Sequence, residues 1–353
     1  MQQTKKTNLR ILYAIQGTGN GHLARATEIV PILNRLGHTD VLVSGIQGDI
    51  QLPFPVKYHF YGLSFIFGKH GGVSLWQTVK RSRPFRFFRD MMNLPVKDYD
   101  LVICDFEPVT AWACRFRGKT CIGLSHQNAV LHPKSPKPSH TDWPGLFILK
   151  NYAPATIKYG FHFKRLDELN FTPVIRSAIR QSKPSNQGHY TVYLPAYSNE
   201  DIEQVLSLFP QFQWEVFSKH NKESYRKGSI WFRPVSLNDF SESFVHCAGI
   251  ISTAGFETPA EAIHMGKKLC VIPMRKQYEQ ACNAAFLGNM GVRVLTNWHD
   301  SPKQLADWLQ LDEPLRTNYP DETFHILEQV VERAEAELYQ KMISSAESAN
   351  PPI

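Results

Sequence analysis

Two short stretches gather the residue types from which a chemical site could be built. The first is Gly17-Thr18-Gly19-Asn20-Gly21-His22. An apolar run ends just before it. After it, Leu23, Ala26, Ile29, Val30, Leu33 and Leu36 keep helical spacing, which places the loop between a strand and a helix N-terminus. A GxGxxG dinucleotide loop needs glycine at position 22, where histidine stands, and the next strand ends in Val43-Ser44-Gly45 with no acid for a ribose. Both departures argue against NAD. A tight turn whose glycines only permit strand–helix packing explains the loop as well as a site does. His22 adds chemistry: at a helix N-terminus the dipole opposes protonation, so the imidazole is expected to be neutral near pH 7 and able to accept a proton. Asp105 ends a later apolar strand, and in the strand order 3-2-1-4-5 that strand lies beside the first. Asp105 could then hold the imidazole as the orienter of a base. The other reading is that Asp105 caps the helix that follows it.

The second stretch covers residues 249–284, GIISTAGFETPAEAIHMGKKLCVIPMRKQYEQACNA. An apolar strand turns through Thr253, Ala254 and Gly255 into a helix. Thr258 is expected at the capping position, with Pro259 first in the helix and Glu261 closing a capping box. Free N–H groups and the dipole make such a helix start an anion site. A second strand, over 269–273, ends in a polar loop, and another helix starts near Gln280. Two loops therefore open at the C-terminal edge of a parallel sheet, where such sheets bind ligands.

Positioning these loops needs two α/β units. Strands are predicted over 10–16, 40–44, 56–61, 101–105 and 120–124, with helices over 22–36 and 110–116. A proline-rich stretch, 132–144, reads as a long irregular loop, and SKPSNQG (182–188) as a linker. The pattern restarts with strands over 190–194, 213–217, 229–233, 249–252, 269–273 and 292–295, and ends in helices over 302–309 and 321–342. The fold class is α/β, with two doubly wound, Rossmann-like domains facing across a cleft. The expected division is residues 1–183, 188–320, a C-terminal helix over 321–345 packing back on the first domain, and a loose tail over 346–353.

The 353 residues suit two domains, and the 42% apolar content supports real cores. No apolar run is long enough to span a membrane, and the run after Arg10 is too short for a signal-peptide core. The six cysteines include no CxxC pair, which points to reduced thiols, a cytoplasmic setting and no metal site. Charge is uneven: residues 1–175 hold 22 Lys+Arg against 11 Asp+Glu, residues 176–353 hold 17 against 21. Only the front half thus suits an anionic partner. No nucleic-acid-binding signature is present. The stretch over 80–92, KRSRPFRFFRDMM, interleaves basic and aromatic residues. It suits docking on an anionic membrane, at the inner face, or a core-facing helix with solvated arginines.

GTGNGH together with STAGFETPAEAIHMG, followed by P, EQ and NA, resembles the inverting nucleotide-sugar glycosyltransferases of the GT-B fold. The resemblance runs through both halves and is nearest in style to the peptidoglycan-precursor N-acetylglucosaminyltransferases and the diacylglycerol glycosyltransferases. It implies that Gly255 and Thr258, with Thr253, hold the donor diphosphate, and that Glu261 binds the ribose. Glu279 and Gln280 would meet the donor sugar, supported by Asn283. Ser198 is the remaining donor candidate in a loop that lacks the usual glycines. His22 would be the general base, with Gly19, Asn20, Gly21, Gln127 and Asn128 on the acceptor side. Thr253 stands where relatives carry a cation, and Glu257 brings a negative charge toward the phosphates.

The expected function is inverting transfer of a sugar from a nucleotide diphosphate sugar, UDP-linked by the resemblance, to an acceptor hydroxyl. The expected cofactor set is empty, without a metal, and the acceptor is unknown, a lipid-linked one being a candidate. Two alternatives stand beside it. One is a non-hydrolysing UDP-sugar 2-epimerase, which needs further carboxylates in the cleft. The other is a non-catalytic nucleotide-sugar-binding protein, which Thr253 and Glu257 would allow.

Overall fold

The computed structural model describes residues 7–45, 50–63, 83–311 and 313–349. β1 (Arg10–Gln16) leads into α1 (Asn20–Leu36), β2 (His38–Ser44), β3 (Tyr58–Phe60) and α2 (Pro84–Asn93). β4 (Leu101–Asp105), α3 (Pro108–Phe116), β5 (Ile122–Leu124), α4 (His126–Val130) and α5 (Trp143–Asn151) follow. β6 (Ile157–Phe161), β7 (Asn170–Phe171) and α6 (Ser177–Arg180) complete the first half. Its strands lie parallel in the order β3-β2-β1-β4-β5-β6-β7. β1 and β4 are apolar and almost wholly buried, as strands covered on both faces by helices must be.

The second half repeats the plan. β8 (His189–Tyr193), α7 (Asn199–Leu206), β9 (Gln213–Ser218), β10 (Tyr225–Lys227), β11 (Ile230–Pro234) and α8 (Leu237–His246) come first. β12 (Gly249–Thr253), α9 (Glu257–Met265), β13 (Lys268–Ile272), α10 (Tyr278–Asn289) and β14 (Arg293–Val294) follow, then α11 (Pro302–Leu311) and α12 (Thr323–Ala349). The order is β10-β11-β9-β8-β12-β13-β14, and β10 alone among the described strands runs antiparallel to its neighbour. The architecture is the expected pair of α/β units.

The halves are not independent bodies joined by a thread. Leu23, Ile29 and Leu33 of α1, Ala260 and Ile263 of α9, and Ile326, Leu327 and Val330 of α12 belong to one buried cluster. α12 packs along α1, so the end of the chain returns to the first half. Apolar packing therefore closes the back of the cleft and fixes the two sheet edges that face each other.

Several elements differ from the sequence expectation. β6 and β7 lie between the proline-rich stretch and the linker, and α5 begins at the end of that stretch, where no strand or helix was predicted. β10 is a three-residue edge strand with every residue exposed, so it carries no burial pattern to read. α12 continues through Ala349, so residues 346–349 extend the helix where a loose tail was expected. The basic-aromatic stretch is helical from Pro84; its residues 80–82 and the tail residues 350–353 lie outside the described residues.

Candidate active site

The loop after β1 shows why its glycines are needed. Gly19 precedes α1 with φ 93°, a left-handed conformation that glycine adopts without penalty. A Cβ on Gly21 would lie 2.6 Å from Glu257 Oε2, so this glycine lets the second half approach the first turn of α1. His22 stands in that turn, and its side chain is 14% exposed.

His22 Nδ1 lies 2.8 Å from Asp105 Oδ1. Asp105 is fully buried at the end of β4, paired in register with Ile15 of β1, as the strand order required. It does not cap α3. That role belongs to Glu107, whose carboxylate accepts from the backbone of Val109 and Thr110 at 2.7 Å each, with Pro108 next in the helix.

Asp105 has a second partner that sequence reasoning missed. Arg25, 1% exposed, donates from Nη2 to Oδ1 at 2.6 Å and from Nε to Oδ2 at 3.1 Å. Its third nitrogen, Nη1, bonds Glu257 of α9. His22 and Arg25 are three residues apart on α1, a spacing that puts them on one face, and this was the available signal. Burial by itself would raise the Asp105 carboxyl; Arg25 and His22 outweigh it and hold the group below its ordinary value. An ionised Asp105 sets the imidazole tautomer. Nδ1 carries the proton and donates it, while Arg25 Nη2, 3.0 Å away, aims at the same carboxylate. Nε2 is left as the acceptor, with the Gln127 amide nitrogen at 3.3 Å.

The expectation of a dipole-depressed histidine is corrected. Burial lowers the His22 value, but the Asp105 charge and hydrogen bond raise it more, with Arg25 lowering and Glu257 raising it further, and the net shift is upward. A full carboxylate at 2.8 Å outweighs the partial charge of one helix end.

On the other side, α9 starts at Glu257 with Phe256 in the capping position and no side-chain cap. Thr258 is thus inside the first turn, and the expected capping box does not form. Glu261 instead receives both arms of Arg176, Nε to Oε1 and Nη2 to Oε2, at 2.7 Å each, and is 3% exposed. Arg176 comes from the segment just before α6, so both carboxylates of α9 are held by arginines of the first half. Glu257, which the sequence left as an uncompensated charge beside the phosphates, is paired with Arg25, which it shares with Asp105.

Two cavities meet at His22. The larger, about 210 Å³, is bordered by Thr253, Gly255, Thr258, Glu261, Glu279 and Gln280, with Gly19, Asn20 and Gly21 opposite. The smaller, about 110 Å³, is bordered by Gln127, Phe106 and Tyr152 among others. Thr18, His22, Gln277 and Glu279 border both. Gly19, Asn20 and Gly21, expected on the acceptor side, thus lie on the cavity of the donor residues. Asn20 reaches Tyr193 of β8 across the cleft at 3.2 Å. Lys219 also borders the larger cavity, a cation the sequence did not single out.

Three expected contact residues border neither cavity. Ser198 caps α7 by accepting from Asp201 N at 3.1 Å. Asn128 donates to Tyr159 O at 2.9 Å, facing β6. Asn283 is a brace: it donates to Ala254 O at 3.1 Å and lies 2.7 Å from His126, whose ring stacks on Phe256 at 3.8 Å. Gln280 Oε1 likewise holds the loop after β13 by accepting from Met274 N at 2.9 Å.

The profile of the family described as "Glycosyl transferase family 1" matches residues 9–311. Among solved structures, the chain resembles a UDP-glucosyltransferase from Polygonum tinctorium described as capable of glucosylating indoxyl. The TM-score is 0.55 at 12% identity, over 94% of this chain and 95% of that one. It also resembles Phytolacca americana UGT2, solved with UDP-2-fluoro-glucose and pterostilbene (0.53, 13%, covering 97% and 100%). A third is the glycosyltransferase SnogD from Streptomyces nogalater (0.50, 14%, covering 96% and 99%). A search of the curated proteins finds no match.

Proposed function

The chain belongs to glycosyl transferase family 1, a glycosyltransferase with the GT-B fold, and from that premise we propose an inverting transfer from a nucleotide diphosphate sugar to an acceptor hydroxyl. The observation that carries the proposal is the position of His22, whose tautomer is fixed by Asp105 and which borders both cavities. The donor fills the larger cavity and the acceptor the smaller. The acceptor hydroxyl gives its proton to His22 Nε2 while its oxygen bonds the anomeric carbon. The bond from that carbon to the diphosphate breaks on the opposite face, and the nucleoside diphosphate leaves with the electron pair.

Its negative charge develops at the uncapped start of α9, beside Gly255 and Thr258, with Thr253 at the strand end. An added Cβ on Gly255 would meet nothing within 4 Å, so the backbone there is open to a ligand. The helix start contributes about 0.3–1 kcal/mol, up to about 2 when partly buried. With this charge sink the reaction proceeds without a metal in our reading. Glu261 Oε1 accepts from both Nε and the backbone N of Arg176, so the open lone pair is on Oε2, where a ribose hydroxyl shares the carboxylate with the arginine. Glu279 and Gln280 meet sugar hydroxyls. UDP is the nucleotide we favour, in line with the UDP-sugar named for the Phytolacca americana structure.

The alternatives lose ground on specific residues. Glu257 favoured a binding-only protein, and it is paired with Arg25, which it shares with Asp105. A 2-epimerase needs several carboxylates in the cleft; Glu257 and Glu261 border it but are tied to arginines, and Glu279 accepts from Gln127. A thermal-shift panel of UDP-, dTDP- and GDP-sugars identifies the donor. With that donor, His22→Ala should lower transfer by roughly 10²–10⁴ while nucleotide affinity stays within about twofold. Transfer at the wild-type rate would end the base assignment.

We also propose that α2 docks this enzyme on an anionic membrane. Phe85, Phe88 and Met92 share one helical face and are 91%, 56% and 38% exposed, with Arg83, Arg86 and Arg89 beside them. No described helix is long and apolar enough to cross a membrane.

A further inference from the structure

The smaller cavity carries an unusual set of hydrogen-bonding groups. Three glutamines border it, Gln16, Gln127 and Gln277, and the amide oxygen of each is buried without a partner. Gln16 and Gln127 are 4% and 3% exposed. Their amide nitrogens are already committed. Gln16 donates to Tyr152 Oη at 2.6 Å and to Leu63 O at 3.3 Å, and Gln127 donates to Glu279 Oε2 at 2.9 Å. These acceptors fix which end of each amide is oxygen. The cavity is thus bordered by three amide side chains whose unpaired oxygens lie just beneath its surface, and by the Glu279 carboxylate.

Buried acceptors of this kind are rare in folded proteins and call for a donor from outside the chain. Beside them the lining includes apolar and aromatic side chains. Phe106 and Tyr152 stack with ring centroids 4.9 Å apart, flanked by Ile148 and Leu149. Phe106 is held there in a left-handed backbone conformation, φ 54°, in the turn between β4 and α3. A ligand that fits must present several O–H donors on its edge and a C–H surface on its face.

We propose that the smaller cavity binds a sugar ring, so that the acceptor in the reaction above is a glycoside. This rests on the transferase reading and names the substrate class of its acceptor site. A phenol supplies one donor for three orphaned oxygens, and a bare lipid chain supplies none. A phosphate would face four acceptor groups, with exposed Lys276 the one cation among the described residues bordering the cavity. A hexose ring matches both kinds of lining. The three oxygens are shielded from bulk water, so the ligand must enter the cavity and the glutamine side chains rotate to meet it.

The test uses full-length protein with UDP present, titrated with methyl β-D-glucoside, methyl N-acetyl-β-D-glucosaminide and 4-nitrophenol, followed by ligand-observed NMR. At least one glycoside should bind, and more tightly than 4-nitrophenol. Gln277→Leu, in a half-buried loop position, should weaken that glycoside about tenfold and change UDP affinity by less, since Gln277 also borders the larger cavity. Gln16→Leu should act in the same direction, and its folding is checked by its UDP affinity. The inference is overturned if 4-nitrophenol binds better than every glycoside, if Gln277→Leu leaves glycoside binding unchanged, or if UDP binds and no glycoside does. That last result means that water satisfies the glutamines, and it leaves the donor reading intact. Loss of UDP binding itself would instead strike the transferase reading beneath.

Discussion

The two strand–loop–helix units that face each other across the cleft are built alike and charged differently. β1 delivers the chain to α1 and β12 delivers it to α9, each at the C-terminal edge of its sheet. Neither helix has a side-chain cap, whereas α3, α7 and α8 are capped by Glu107, Ser198 and Ser236. Both cleft helices thus keep their first N–H groups uncommitted by side chains. The α1 unit fills its first turn with His22 and backs it with Asp105 from its own sheet. The α9 unit carries two carboxylates, and their counter-charges, Arg25 and Arg176, come from the other half. A base is a local construction; an anion site with acidic residues in its helix is only electrically sound once the halves are joined. Glu257–Arg25–Asp105–His22 makes that joint continuous from donor helix to base.

The strongest way to break this comparison is at Asp105. Asp105→Asn keeps the shape but removes the charge that fixes His22 and balances Arg25. Arg25 then keeps Glu257 but loses its fully buried carboxylate, which should lower unfolding free energy by about 3–5 kcal/mol, read by denaturant titration. Transfer should fall by roughly 10²–10⁴, as for loss of the base, because the tautomer is no longer set. A variant with native stability and native rate would show that the local construction is unnecessary. The pH behaviour of the pair follows from its shifts. The lowered carboxyl of Asp105 stabilises the fold above its ordinary value of 3.8, and that contribution is lost as pH falls through the lower folded value. The raised imidazole of His22 stabilises the fold below 6.5 and loses that contribution as pH rises through its folded value. Activity runs the other way, since the base must be unprotonated: the rate should climb with pH through a value above 6.5.

A finer test acts on the joint. Glu257 raises the His22 value, so Glu257→Gln should shift the acid limb of the pH–rate profile to lower pH. The same change removes a negative charge from the donor cavity while Arg25 stays paired with Asp105, so nucleotide diphosphate affinity should rise up to about tenfold. An unmoved pH limb would mean that the two units do not communicate through Arg25.

Much of this was legible in the sequence where one element decides the outcome. The two loops, the strand order and the meeting of His22 with Asp105 all follow from apolar periods and parallel-sheet topology. What depended on which polar partner arrives from afar was not. Glu261 read as a capping residue or a ribose ligand because Arg176 lies 85 residues away. Thr258 read as a cap because Phe256, the real boundary residue, has no capping side chain to recognise. Two misreadings had local signals. Glu107-Pro108 is a cap followed by a first-turn proline, and it should have displaced Asp105 from that role. Ser198-Asn199-Glu200-Asp201 after a strand is a capping sequence rather than a donor contact.

The halves differ once more on their outer surfaces, and this gives the smallest expected effect. The first half holds the excess of basic residues, and α2 sets exposed Phe85 and Phe88 among arginines. Its buried side, Asp90 and Met91, already packs toward α3, so the outer face is unused by the fold. Each arginine near an anionic bilayer is worth about 1 kcal/mol, roughly fivefold in partition. Arg86→Gln should weaken co-sedimentation with phosphatidylserine vesicles by about that factor and leave binding to neutral vesicles unchanged. Phe85→Ser should weaken both, because its contribution is apolar area rather than charge. Phe85 is exposed and Arg86 is half-buried with an i,i+4 ion pair to Asp90, so stability should stay within about 1 kcal/mol and transfer to a soluble acceptor should be unaffected. If vesicle binding survives both changes, α2 is not the membrane contact and the basic excess of residues 1–175 acts elsewhere, since of the two arginines that pair with α9 only Arg25 lies in that span.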